Sequence, residues 1–190
     1  MGSLVLRRLI CTTALAAFLP AMAAAQGGVT VFGGYTYLRA AHDGGSSFGL
    51  NGWDASLEGK NFLWLGWVAD IGQQYGSPGG IREKQTTALF GPQISIPHIP
   101  RAVPFVHVLF GIVHGTNSAN PFGAPCPIGG PCPVDIGTGT AFATAVGGGV
   151  DIKLKGPIYL RPIQVDDIHA NLSPDHHEQA RIAAGIAFHF

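Results

Sequence analysis

Two sets of residues in this 190-residue chain could do chemistry. The first is dispersed: the carboxylates Asp54, Glu58, Asp70, Asp151 and Asp166, the fixed cations Arg161 and Arg181, and the titratable His107. Each stands on the small or polar side of a segment whose alternate positions are apolar. If those sides share one interior, the charges could conduct ions or catalyse. They could also simply satisfy one another, because a buried charge has to be paired. The pairing reading leads, since many Gly and Ala on the same sides leave room for long arginines.

The second set is local. His169, Asp175, His176, His177 and Glu178 lie on or beside one stretch near the C-terminus and carry divalent-cation ligand chemistry. Their spacing matches no ordinary ligand pattern, and clustered loop polars are usually solvated. Ser173, Asp175, His176 and His177 are also the nearest approach to a nucleophile, base and orienting acid, but nothing places them within reach of one another. Neither a metal, a cofactor nor an enzymatic activity is expected. Cys126 and Cys132 flank Pro127-Ile128-Gly129-Gly130-Pro131 and have no His or third Cys at metal-ligand spacing. In an exported protein such a pair is expected as a disulfide.

Export is expected from the N-terminus. Arg7 and Arg8 precede an apolar run from Leu9, broken at Pro20 and closed by Ala23-Ala24-Ala25. That is the layout of a secretory signal peptide over residues 1–25. Removing it takes away Cys11 and leaves residues 26–190 as one barrel domain. Without Arg7 and Arg8, 9 basic residues remain against 11 acidic ones, a formal charge of −2. No basic excess points to nucleic acid. Charged residues are 12% of the chain and Gly contributes 28, whereas a soluble domain is about 25% charged. No later run is apolar enough for a spanning helix. A membrane chain without one must close into a barrel, because lipid cannot satisfy open strand edges.

The elements that would position the charges alternate with period two, the mark of a strand with one apolar face. Near the C-terminus Ile182, Ala184, Ile186, Phe188 and Phe190 oppose Arg181, Ala183, Gly185, Ala187 and His189. Val106, Val108, Phe110 and Ile112 oppose His107, Leu109, Gly111 and Val113. The same division runs through 140–152, 86–96, 62–72 and 50–59. Segment 30–39 is rich in Tyr and Phe, and its faces are hard to rank. In 158–168 alternation is broken by Pro162, which proline's missing donor confines to an edge or bulge. A bulge there would turn Arg161, Gln164 and Asp166 inward, with Ile163 and Val165 outward. Eight strands of about 9–13 residues suit a tilted bilayer crossing. Tight turns at 59–61 and 155–157 and a moderate one at 97–103 alternate with longer links at 40–47, 76–83, 115–139 and 170–178. Short turns mark the periplasmic end and long loops the extracellular one. Tyr35, Tyr37, Trp53, Trp67, Tyr159 and Phe188 read as belt aromatics.

Leu89-Phe90-Gly91-Pro92, Pro104-Phe105, Gly147-Gly148-Gly149-Val150-Asp151, Leu160-Arg161-Pro162-Ile163-Gln164-Val165-Asp166 and Gly185-Ile186-Ala187-Phe188-His189-Phe190 occur in that order. Together they resemble the transmembrane-barrel family of outer membrane protein A, in its short form without a peptidoglycan-binding domain. Asp167 departs from that pattern, where such proteins commonly carry an aromatic residue. The resemblance implies an all-β, eight-stranded antiparallel up-and-down barrel in a bacterial outer membrane. It implies that Phe188 and Phe190 form the signal read by the barrel-assembly machinery. Expected partners are that machinery, outer-membrane lipid and an unidentified extracellular partner. The expected role is structural or surface-interactive around a polar, side-chain-filled lumen. Three alternatives stay open: a small low-conductance, porin-like pore, a lipid-modifying enzyme, and a soluble ligand carrier, which the apolar outer face disfavours.

Overall fold

A computed structural model describes residues 27–62, 64–77, 81–96, 99, 101–119, 134–170 and 177–190, apart from 42–46. Eight strands follow one another: β1 Gly27–Ala41, β2 Ser47–Lys60, β3 Leu65–Gly76, β4 Ile81–Ser95, β5 Ala102–Ala119, β6 Val134–Lys155, β7 Ile158–Ala170 and β8 His177–His189. Each pairs antiparallel with its sequence neighbours, and β8 pairs with β1, giving a closed barrel in chain order. The expected eight-stranded architecture is what the chain forms. Residues 1–25, expected as a signal segment, and Cys126, Cys132, Ser173, Asp175 and His176 lie outside the described residues.

Period two governs every wall. On β5, Val106, Val108, Phe110 and Ile112 are exposed, while Phe105, His107, Leu109 and Val113 are buried. On β4, Phe90 and Ile94 point out against buried Leu89, Gln93 and Ser95. Segment 30–39, whose faces the sequence leaves unranked, resolves cleanly. Thr30, Phe32, Thr36 and Leu38 are buried, and Val31, Tyr35 and Tyr37 are exposed. The barrel therefore carries its apolar band outside, the reverse of a soluble barrel.

The bulge at Pro162 is present. Arg161 pairs with Gly185 and Gln164 with Ala183, so β7 spends one extra residue there. Arg161, Gln164 and Asp166 are buried, and Ile163 and Val165 are exposed. Deviations from the sequence reading occur at the strand ends. Gly59 and Lys60 belong to β2, pairing with Trp67 and Gly66. The first short turn is instead Asn61–Trp64, closed by the Asn61 and Phe62 amides donating to the Leu65 carbonyl at 3.1 and 3.0 Å. β3 thus starts at Leu65, not at Phe62. Phe62 and Trp64 lie exposed in the turn. β5 and β6 also run well into the segment expected as the long third loop, pairing as far as Ala119 with Val134. Polar side chains can continue a ladder as well as apolar ones, so a loss of apolar alternation marks the edge of the band and not the end of the strand.

The other short connections contain the two positive-φ residues among those described, Arg101 (φ 69°) and Gly156 (φ 57°). Gly156 sits there without strain because it has no Cβ. The start of β1 and the end of β8 lie at this short-turn end. The Val29 and Phe190 amides exchange hydrogen bonds with each other's carbonyls at 3.1 and 2.8 Å.

Candidate functional site

The lumen holds a charged zone and an aliphatic one, which interleave along the strands: on β3 Val68 lies nearer the short turn than Asp70, and on β4 Thr87 and Gln85 lie beyond Leu89 toward the long-loop end. Asp54, Glu58, Asp70, His107, Asp151, Arg161, Asp166 and Arg181 are each at most 4% exposed. The alternation of six strands turns them to one axis, and the Pro162 bulge lets β7 present Arg161 and Asp166 to the same side.

Two arginines organise the zone. The Arg161 Nε and Nη2 donate to the two carboxylate oxygens of Asp151 at 2.7 and 3.0 Å. Its Nη2 also reaches Glu58 Oε1 at 2.7 Å, and its Nη1 reaches Gln164 Oε1 at 2.9 Å. The guanidinium lies between the rings of Phe32 and Phe105, 4.3 Å from each centroid. Such stacking uses the planar, weakly hydrated face of arginine, which lysine lacks. Arg181 takes Asp70 in bidentate fashion at 2.9 and 3.2 Å and Asp166 at 2.9 Å, with Asp54 at 3.6 Å. His107 Nε2 meets the other oxygen of Asp166 at 2.7 Å. Gln164, bonded to Arg161, donates to Asp166 at 2.9 Å and ties the two centres together. Gln93 donates to Glu58 at 2.7 Å, and His189 meets Asp151 at 3.0 Å. Charged pairs that are this short and bidentate are the strong class of hydrogen bond.

Every member of the sequence-derived charge set is therefore on the inner face, and all seven acids and arginines sit around the two guanidiniums. Phe32 and Phe105, the stacking partners, were not singled out from sequence. Phe105 shares the parity of His107, which could have found it, whereas Phe32 lies in the unranked segment.

Two corrections concern the lining. The lumen is not uniformly polar: Leu38, Leu50, Val68, Leu89, Leu109, Val113 and Ile168, with Ala143, Ala145 and Ala170, form one buried aliphatic cluster. A barrel of eight strands has only enough interior for side chains, and apolar ones fill it as well as polar ones. Tyr159 is not a belt residue. It alternates with Arg161 onto the inner face, packs on the Phe32–Ala183–Ala187 cluster and stacks on His189 at 3.7 Å. Tyr35, Tyr37, Trp53 and Phe188 are exposed on the outer face, and Trp67 packs beside Phe90 there. His169 is also on the outer face, 3.2 Å from Asp167. His177 and Glu178 fall at the start of β8. Among the described residues no group of three His, Cys, Asp or Glu is placed to hold a metal ion.

The described strands form a closed eight-stranded antiparallel barrel, apolar outside and packed inside. Solved structures share this fold. Ail, the attachment invasion locus protein of Yersinia pestis, superposes with a TM-score of 0.62 at 16% identity, over 86% of this chain and 99% of that one. Neisserial surface protein A gives 0.64 at 12% identity, over 87% and 100%. Ail in complex with the heparin analogue sucrose octasulfate gives 0.60 at 15% identity, over 86% and 99%. No family model and no curated protein matches the chain.

Proposed function

We propose that this protein is an exported integral barrel of a bacterial outer membrane whose lumen is closed by its own side chains. Its work is structural or interactive and is done by the outer face and the connections at the long-loop end. The observation that carries this reading is the lumen: two multiply bonded arginines, one of them stacked on Phe32 and Phe105, and a buried aliphatic cluster that shares the same interior. A non-catalytic role agrees with the mutual engagement of Glu58, Asp70, Asp151, Asp166, Arg161 and Arg181 inside the wall. Two structural neighbours are named for attachment and for the cell surface, which agrees with an interactive role. Export through residues 1–25 and insertion guided by Phe188 and Phe190 belong to the same reading.

A narrow cation-preferring pore is the second reading. Five inner carboxylates face two arginines, and neither carboxylate oxygen of Asp54 has a hydrogen-bond partner among the described residues. A negative interior would favour cations over anions. Conductance in planar bilayers separates the two. The closed reading expects no resolved channel events in symmetrical salt, and steady cation-selective openings would replace it with the pore.

A further inference from the structure

On the outer wall of β3, β4 and β5 the side chains fall into rows set by the two registers. Ile71, Ala88 and Ile112 form the last apolar row. Gln73, Thr86 and His114 form the next, with Gln73 donating to Thr86 at 2.9 Å. Tyr75, Lys84 and Thr116 follow, then Arg82 beside Ser118. Successive rows are about 7 Å apart along the strands. A cavity of about 400 Å³ opens among Tyr75, Ser77, Arg82, Lys84, Thr116 and Ser118. The ammonium of Lys84 lies 5.9 Å from the Tyr75 ring centroid. Glu83 also contributes to the wall, but strand alternation sends its side chain to the inner face. The outward groups are thus two cations, three aliphatic hydroxyls and the Tyr75 phenol, at the end of the barrel away from the short turns.

We propose that this cavity binds the phosphorylated headgroup of a lipid in the leaflet that faces away from the short turns. The inference rests on the membrane reading above and names a site within it. Arginine offers a planar fork and lysine a point charge to phosphate oxygens, and Thr and Ser hydroxyls add donors. A soluble phosphate would satisfy only this polar part. An amphiphile satisfies both parts, because past the single Gln73–Thr86–His114 row the same three strands continue as an apolar wall that includes Phe90 and Phe110, exposed at 58% and 48%. Acyl chains would lie on that wall while the headgroup sat among Arg82, Lys84, Thr116 and Ser118.

The test uses the folded full-length protein in phosphatidylcholine vesicles carrying spin-labelled phosphatidic acid or spin-labelled phosphatidylcholine as probes. The fraction of immobilised probe gives the relative association of each lipid with the barrel. The parent should prefer phosphatidic acid, with each cation strengthening the attraction about fivefold at low salt. Arg82→Ala with Lys84→Ala should remove most of the preference, whereas Arg39→Ala, a single outward cation on β1 outside the cavity, should remove far less of it. Both substituted positions are exposed, and retention of the heat-modifiable folded band on gels verifies each variant. An undiminished preference in the double variant would overturn the site. Inorganic phosphate abolishing the preference, where chloride of equal ionic strength does not, would overturn the lipid as occupant. Failure of the parent to insert into vesicles would overturn the membrane reading itself, and the site with it.

Discussion

Arg161 concentrates more interactions than any other inner residue, and its removal has a definite expected outcome. Glu58 and Asp151 would be left buried without their main counter-charge, a loss of about 3–5 kcal/mol. Arg161→Ala should therefore unfold at lower urea in detergent, read by intrinsic fluorescence. Arg161→Lys should recover only part of the loss, because an ammonium cannot bond both Asp151 oxygens and Glu58 while stacking on Phe32 and Phe105. Full recovery by lysine would show that charge alone matters at this position. Gly147 is a second sensitive point. A Cβ there would meet the Asp166 carboxylate and would come within 2.5 Å of the Val165 carbonyl oxygen, which belongs to the ladder and cannot swing aside. Gly147→Ala should cost about 1–3 kcal/mol, in the range of overpacking, and calorimetry in detergent would detect it. The charges at this scale were legible in the sequence because polar residues on apolar-alternating segments have one face left to occupy. Their partners were not, since pairing between β2 and β7 depends on barrel closure, and no local pattern encodes it.

Strands were legible wherever the apolar face alternated, as on β4, β5 and β8. Limits were not, because β5 and β6 continue beyond the apolar band on polar residues such as Thr116, Asn117, Ser118 and Thr138, and no change in period marks their ends. β1 resisted ranking because Phe32 and Leu38 are apolar inside while Tyr35 and Tyr37 are aromatic outside. The bulge in β7 was readable from one residue, since a proline interrupting alternation leaves few other solutions. Its function is testable by deletion. Removing Pro162 leaves Arg161 inside, Ile163 outside and Gln164 inside, so both faces survive and the ladder to β8 becomes regular. Removing Val165 instead would turn every β7 residue on one side of the cut to the opposite face and bring Asp166 toward the apolar exterior. The first variant should retain a heat-modifiable band on gels and the second should lose it. Equal behaviour of the two would mean that the bulge is not where the register slips.

For the molecule as a whole, the closed wall leaves no free edge between first and last strands, and this decides how it resists unfolding. Thr30 pairs with His189 and Ala40 with Gln179, so the seam is a full ladder like the seven others. Contacts that far apart in sequence form slowly, because a long loop must close before they reward the chain. Once they exist, no strand can peel from an end. The meeting of Val29 with Phe190 adds a topological consequence. The barrel as an object has no first strand: the order of synthesis is a property of the chain, and the closed sheet does not record it. A circular permutant of residues 27–190 that joins Phe190 to Gly27 through a short glycine-containing turn and opens the chain between Gly156 and Pro157 should reach the same folded, heat-modifiable state. Its equilibrium stability should stay close to that of the parent, and the change should fall on the rate of folding, because β8 and β1 become sequence neighbours while β6 and β7 become the strands that meet last.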